Sequence, residues 1–570
     1  MSTISSSRPV PYWLANLKLL TSVLVLAWLA ACGGGGGGSP APGTDASASL
    51  ASPTAVAAAT ATTTASTATT VTTPTTATAT SAPLTYTSFS VAQQCVTPSS
   101  NAGVTQTQGT IDTEKQWVRA FMDETYLWYK DIPSVDASST TFTLAANGNS
   151  VFRTVSAYFY ALLNPNRTAS KKLVDEFSFT VPIADRTNQQ AGISSGYGIR
   201  FARVNGTGPE RVIRVLFVEP NSPGDLAGVR RGDTVKSVDG VDINDTTDAG
   251  TAKLDAGLSP SVASKTTVFG LQGVNATQPC DVTVVSSTNV AVIPVPLAKS
   301  FTVGTTTVGY LVLNSFSIVS AQKQLIDSVN QLKSAGVKEL VLDLRYNGGG
   351  FLAISNQLSW MIGDASLADK VYEKNICNDK NPFDLCNEST PFRQQTIADS
   401  SNNLSAGQAL PQLGLKRVFV LTSASTCSAS ESLVNGLSPF LEVVRIGSTT
   451  CGKPYGFFYI DNCSTSYAAM QFRGVNANGF GDFADGFAPT CAVADDLSKE
   501  RGDPTELMLA GALTYMKTGK CPPASQPSGA QASSQAGAQK RNVLGDSGYK
   551  MMRSPLEENR ILNLPGSQAR

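Results

Sequence analysis

The sequence predicts a multi-domain α/β protein, and three features lead to that reading. After Leu297, strand-like apolar runs alternate with amphipathic helical stretches, the pattern of an α/β domain with its site at strand ends. From about Ala191 to Asn244, short strands and glycine turns replace that alternation and mark a β-rich unit. Ahead of both, aromatic residues recur at helical spacing and mark a small helical domain.

Composition narrows the chemistry before any motif is considered. The chain has 570 residues, 43 basic and 43 acidic side chains, and no histidine. That absence removes Ser-His-Asp triads, Cys-His dyads and His-ligated metals. Zero formal net charge argues against nucleic acid as a partner. Charged residues make up 15% of the chain, against about 25% in ordinary globular domains, so part of the sequence is uncharged filler.

Residues 1–31 read as an export signal. Arg8 and Lys18 precede an uncharged run from Leu19 to Ala31, too short to span a bilayer. The run ends Leu29-Ala30-Ala31-Cys32-Gly33, which resembles the bacterial lipobox. The resemblance implies lipidation of Cys32 and an exported lipoprotein of a Gram-negative-type bacterium, held at the outer membrane because no aspartate follows Cys32. An ordinary signal peptide with an incidental cysteine is the alternative. Residues 32–90 are a flexible tether: Gly33 to Gly38, then almost only Ala, Thr, Ser and Pro as far as Pro83. The tail over 521–570 is similar, except that Tyr549 to Leu564 regains apolar and charged character. Docking of that end on the body and a disordered tail both remain open.

Nine cysteines lie beyond Cys32: 95, 280, 377, 386, 427, 451, 463, 491 and 521. In an exported protein they serve as disulfides, with Cys377 and Cys386 the natural local loop and the odd count leaving one over. There is no C-x-x-C pair, so no metal site is expected.

Residues 91–188 form the helical domain. Thr113 and Gln116 fit a capping box for a helix to Tyr129, with Val118, Phe121, Met122, Thr125 and Trp128 on one face. A second helical stretch runs from Val151 to Leu163. Residues 189–290 follow as the β-rich unit. Gly196-Tyr197-Gly198-Ile199 precedes the strand Arg211 to Val218, and "SPGDLAGVRRGDTVKSVDG" follows. Loop and signature together resemble a PDZ domain. The resemblance implies that the N–H groups of Gly196, Tyr197, Gly198 and Ile199 capture a peptide's terminal carboxylate, while the peptide adds a strand to the sheet edge.

Residues 291–520 carry the alternation: strand Val308 to Leu313, a helix with Leu325, Val329 and Leu332 on one face and Gly336 as its stop, then strands Leu340 to Leu344, Val418 to Leu421 and Val443 to Ile446. A helix from Ser428 to Leu437 follows the strand Val418 to Leu421. Ser428 sits at that strand-to-helix turn, where free N–H groups and the helix dipole favour developing negative charge. The bland alternative is a capping box, Ser428 with Glu431. Two features weigh against it. "LDLRYNGGG" ends a buried strand in backbone donors, and Lys453 follows Ser428 after a single strand, among Tyr455, Phe457 and Phe458. Burial would bring an amine from about 10.4 toward 7–8, where it is a competent general base.

These residues resemble the tail-specific, or carboxyl-terminal processing, serine proteases. The resemblance covers about 110 to 515, includes "DEFSF" at Asp175 to Phe179, and rests most on "LDLRYNGGG", "SASE" and the later "GK". It implies a crotonase-like α/β core joined to a PDZ domain, with Ser428 as nucleophile and Lys453 as general base. The N–H groups of Ala429 and Gly349 form the oxyanion hole in that pattern. It also implies protein or peptide substrates with free C-termini, and no cofactor. Phe457 departs from the glutamine common at that position, so no third residue is assigned. A non-catalytic protein that holds peptides or apolar ligands is the main alternative, and a crotonase-like acyl enzyme a weaker one.

Overall fold

The computed structural model describes residues 84–100, 103–204, 211–260, 263–382, 386, 388–523, 543–544, 549–551 and 560–561. The export signal, Cys32 and nearly all of the tether lie outside these residues.

The core is a six-stranded sheet. Strand β9 (Leu297–Val303) pairs antiparallel with β10 (Thr306–Val312). Beyond β10 the sheet continues in parallel through β11 (Glu339–Asp343), β13 (Arg417–Thr422), β14 (Glu442–Gly447) and β17 (Cys491–Ala492). Alternate residues serve opposite faces, as strand pleating dictates. Leu340, Leu342, Val418 and Val420 pack with helices α4 (Ala321–Ser334), α5 (Leu352–Ile362) and α6 (Ala429–Leu437). Val341, Phe419 and Leu421 pack on the other face under α7 (Leu507–Thr518). Both faces are covered, which is why these strands read as unbroken apolar runs. A two-residue strand, β12 (Gly350–Phe351), leads directly into α5.

Helix α1 (Ile111–Thr125) starts two residues earlier than the sequence suggests and ends before Trp128. Its capping box is Thr110 with Thr113: Thr110 Oγ1 accepts the Thr113 N–H at 3.2 Å, and Thr113 Oγ1 accepts the Thr110 N–H at 2.8 Å. Thr113 is thus the third helical residue, not the cap. Two Thr residues three apart satisfy the same donors as the expected Thr–Gln pair. With α2 (Val151–Ala161), α1 carries Trp117, Phe121 and Phe159 onto Tyr467. The aromatic stripe is therefore core. Strand β1 (Phe179–Pro182) pairs with β16 (Thr465–Ala468), and a Cys95–Cys463 disulfide ties the same two regions.

The β-rich unit has its own core of Tyr197, Phe201, Ile213, Val215, Val235, Val238, Leu254 and Phe269. Its sheet is built from β3 (Ile199–Val204), β4 (Val212–Val218), β5 (Thr234–Val238), β6 (Thr266–Gln272) and β7 (Cys280–Val285). Helix α3 (Asp248–Leu258) packs against it. Strand β2 (Ile193–Gly196) pairs with β8 (Ser287–Ala291), closing the unit beside the core. Among the described residues no helix is long and apolar enough to cross a membrane.

Candidate active site

Strand β13 ends at Thr422, and the chain turns through Ser423 to Cys427 before α6 begins at Ala429. Ser428 is the N-cap, fully buried, at φ 61° and ψ −112°. A non-glycine residue at positive φ costs roughly 1–3 kcal/mol and persists only where its surroundings impose it. Several neighbours do so. The Cys427 N–H donates to the Asn347 carbonyl at 3.0 Å, and Ser430 Oγ donates to the same oxygen at 3.1 Å. These bonds set the start of α6 against the glycine turn of "LDLRYNGGG".

Ser428 and Glu431 have capping-box placement, yet among the described residues Ser428 Oγ has no hydrogen-bond partner. Glu431 caps the helix start and reaches further. Its carboxylate accepts the N–H groups of Ser428 at 2.9 Å, Gly452 at 2.8 Å and Lys453 at 2.8 Å, and the Thr450 hydroxyl at 2.5 Å. Burial pushes the Glu431 carboxyl up from its ordinary range, while the Thr450 hydroxyl and the three N–H donors pull it back. A disulfide joins Cys427 to Cys451, Cα to Cα 5.2 Å, so the residue before Ser428 is bonded to the residue two before Lys453. The structure therefore brings Ser428, Ala429 and Lys453 together through two independent links.

Lys453 is buried, with its Nζ 5.0 Å from the ring centre of Phe177 and 5.6 Å from that of Phe457. Phe177 belongs to the "DEFSF" stretch. Asp175 shapes that stretch by accepting the N–H groups of Phe177 and Ser178 at 3.0 and 2.9 Å and the Tyr126 hydroxyl at 2.6 Å. The helical domain thus supplies one wall of the lysine pocket.

The glycine turn differs in one respect from expectation. The Gly349 N–H donates to Asn347 Oδ1 at 2.8 Å, so this donor is engaged inside the turn, whereas the resemblance had it facing an oxyanion. The cause is local, because Asn347 folds its side chain over the following peptide, an Asx turn. Ala429 heads α6, where the first four N–H groups lack intrahelical acceptors. Gly350 must be glycine: at φ 139° a Cβ would lie 2.1 Å from the Phe316 carbonyl carbon.

Beneath the turn lies a buried charge cluster. Arg345 pairs with Asp343, Asp495 and Glu506, at 2.7 Å to Asp495 and 2.9 Å to Glu506. Arg231, from the β-rich unit, reaches Asp495 at 2.7 Å and the Tyr346 hydroxyl at 2.5 Å. Tyr346 also donates to Asp495. The two guanidiniums hold the Asp495 carboxyl down to about 2 against the opposing effect of burial. Arg231 thus ties the β-rich sheet to the charge cluster of the core as well as leading into a turn.

Gly196, Tyr197, Gly198 and Ile199 lie apart from this site, in the β-rich unit. Together with Leu254 and Leu258 of α3 they line a groove of about 700 Å3 along β3. The Tyr197 side chain points inward, its hydroxyl 2.7 Å from Thr267 Oγ1. Gly198, at φ 73°, packs so closely on Ser222 that a Cβ would clash at 2.2 Å.

Residues 307–459 match the model for peptidase family S41, and residues 113–179 match that for the peptidase S41 N-terminal domain. The chain carries peptidase family S41 domains. Ser428, Lys453 and the glycine turn all fall within the first match, and Phe177 within the second. The chain is 30% identical over 266 residues to a carboxyl-terminal-processing protease of Picosynechococcus, covering 46% of this chain and 55% of that protein. It is 27% identical over 277 residues to a chloroplastic C-terminal processing peptidase of Tetradesmus obliquus, covering 46% and 52%. The chain spans about half the length of the curated relatives it matches. A candidate S41 protease from Bacteroides fragilis, solved by crystallography, shares the mixed α/β multi-domain fold at TM-score 0.55 and 24% identity, covering 71% of this chain and 97% of that one.

The other disulfides are Cys377–Cys386, the expected local loop, and Cys491–Cys521. Cys280 stands outside the four bridges. Sequence reasoning missed Glu431 as a hub and the Cys427–Cys451 link. The signal was present, since one cysteine precedes Ser428 directly and another lies two residues before Lys453.

Proposed function

We propose that the chain is a serine endopeptidase of the C-terminal-processing type, with Ser428 as nucleophile and Lys453 as general base. The observation that carries this reading is the double tie between them, through the Glu431 carboxylate and the Cys427–Cys451 bond. Lys453 removes the Ser428 proton, and the alkoxide attacks a peptide carbonyl carbon. The Ala429 N–H and a glycine-turn N–H stabilise the oxyanion, with Gly349 serving once Asn347 releases it. Lys453 then gives its proton to the leaving amine, and water hydrolyses the acyl-enzyme.

The β-rich unit acts as a PDZ domain in this reading, taking a substrate's free C-terminus at Gly196–Ile199, and the core is crotonase-like. Four disulfides suit an oxidising compartment and support export. Lipidation of Cys32 and attachment to the outer membrane complete the proposal.

The buried Phe457, standing where many relatives of the resembling family carry glutamine, favours a second reading, a non-catalytic peptide binder. One assay separates the two. A disordered protein is incubated with the wild-type chain, Ser428→Ala and Lys453→Ala, and fragments are read by mass spectrometry. Fragments from wild type alone support the peptidase; fragments from none support the binder.

A further inference from the structure

The tail beyond Cys521 returns to the body as short strands. Val543–Leu544 pairs antiparallel with Asp495–Asp496. Strand β18 (Tyr549–Met551) pairs antiparallel with β3, in the register Tyr549 to Val204, Lys550 to Arg203 and Met551 to Ala202. Strand β19 (Arg560–Ile561) pairs parallel with β12, Arg560 to Gly350 and Ile561 to Phe351.

Both positions matter for peptide binding. An extended peptide that binds by strand addition uses an exposed sheet edge, and β18 holds the edge of β3 beside the groove lined by Gly196–Ile199. It runs toward Ile199, the direction a captured peptide takes to reach the glycine loop. Strand β19 starts opposite the residue after Gly349 and also meets β15 (Tyr455–Gly456), just past Lys453. It therefore lies between the glycine turn and the lysine loop.

The two positions are connected. Met551 is buried among Ala202, Leu216, Phe217, Tyr346 and Leu497. It lines both the groove along β3 and a second cavity of about 560 Å3 that reaches Tyr346 and Gly348. We propose that the edges of β3 and β12 form one peptide track, and that the chain's own strands Tyr549–Met551 and Arg560–Ile561 are its resident occupants, which a substrate must displace. The described pairings of the tail are those of internal residues. This rests on the peptidase reading only for what displacement achieves; occupancy itself is a matter of binding.

The test uses the full chain in a Ser428→Ala background, with Met551→Asp to expel the buried side chain and Lys550→Pro to remove one pairing N–H. The probe is a fluorescent synthetic peptide copying residues 546–563. We expect it to bind both variants at least tenfold more tightly than the parent, and backbone amides of Phe201–Val204 and Gly350–Phe351 to exchange faster in the variants. Equal peptide binding together with equal exchange in parent and variants overturns the proposal, and the exchange reading on the parent holds even if one variant misfolds. With Ser428 restored, the variants should cleave a disordered protein several-fold faster. Tighter peptide binding without cleavage by any chain keeps this proposal and sinks the peptidase reading. Cleavage with unchanged peptide binding does the reverse.

Discussion

The Glu431 carboxylate accepts the Lys453 N–H at 2.8 Å, 22 residues along the chain, and with the same oxygen the Ser428 N–H at 2.9 Å. A single buried side chain therefore fixes the backbone at both ends of the proposed dyad. Glu431→Ala leaves these donors without an acceptor, and each unsatisfied buried group costs about 1–3 kcal/mol. We expect the melting temperature to fall measurably and turnover to fall at least a hundredfold. Glu431→Gln keeps the shape and half the accepting capacity, so it should recover stability before it recovers turnover. A Gln variant with wild-type turnover would remove Glu431 from the positioning role.

The Cys427–Cys451 bond acts on the same backbone from the other side. Replacing both cysteines with serine opens a loop of 24 residues, worth about 3 kcal/mol by chain entropy. The expected signature is a loss of turnover larger than the loss of stability, since Ser428 adjoins one half-cystine. The check is the rate constant for peptide cleavage at a temperature well below unfolding, for the double variant against a Cys377→Ser, Cys386→Ser control. Equal losses in the two variants would make the bond merely structural.

Much of this site was legible in the chain because its motifs are local. Ser428, Ala429 and Lys453 lie in two short stretches around one strand, and the strands of the core sheet follow simple apolar runs. What escaped notice was set by distance. The Ser428–Glu431 spacing has the form of a cap, and nothing in that spacing shows the carboxylate reaching back from residues 450 to 453. Arg231 and Asp495 are separated by 264 residues, so their pairing depends on how two domains meet. The tail strands are two or three residues long, below any periodicity. The engagement of the Gly349 donor escaped notice for a different reason, because a side-chain acceptor two residues earlier captures it.

Gly350 offers a test of the turn. Any side chain there would drive a Cβ into the Phe316 carbonyl at 2.1 Å, at a backbone angle that L-residues rarely adopt. Gly350→Ala should shift the turn rather than fill a space. Turnover should fall more than tenfold, and the melting temperature should fall with it. Calorimetry and cleavage rate on the same sample check both. An alanine variant with full activity would show that the turn need not approach Phe316.

Asp495 links Arg231 of the β-rich sheet to Arg345 of the core, and its titration gives a pH prediction. Its carboxyl is held down to about 2 by Arg231 and Arg345, below the ordinary 3.8. A depressed folded-state value means the stabilisation is fully present above the unfolded value, near pH 4, and is lost as pH falls toward 2. Acid unfolding followed by circular dichroism should therefore steepen between pH 4 and 2 in the wild type. Asp495→Asn should flatten that limb and, by leaving Arg231 and Arg345 short of a buried counter-charge, cost about 3–5 kcal/mol at neutral pH. Arg231→Met should also lower turnover, because Arg231 holds Tyr346 in the turn that presents Gly348 to Gly350. An Asp495→Asn chain with an unchanged acid limb would show that the pair carries no linkage.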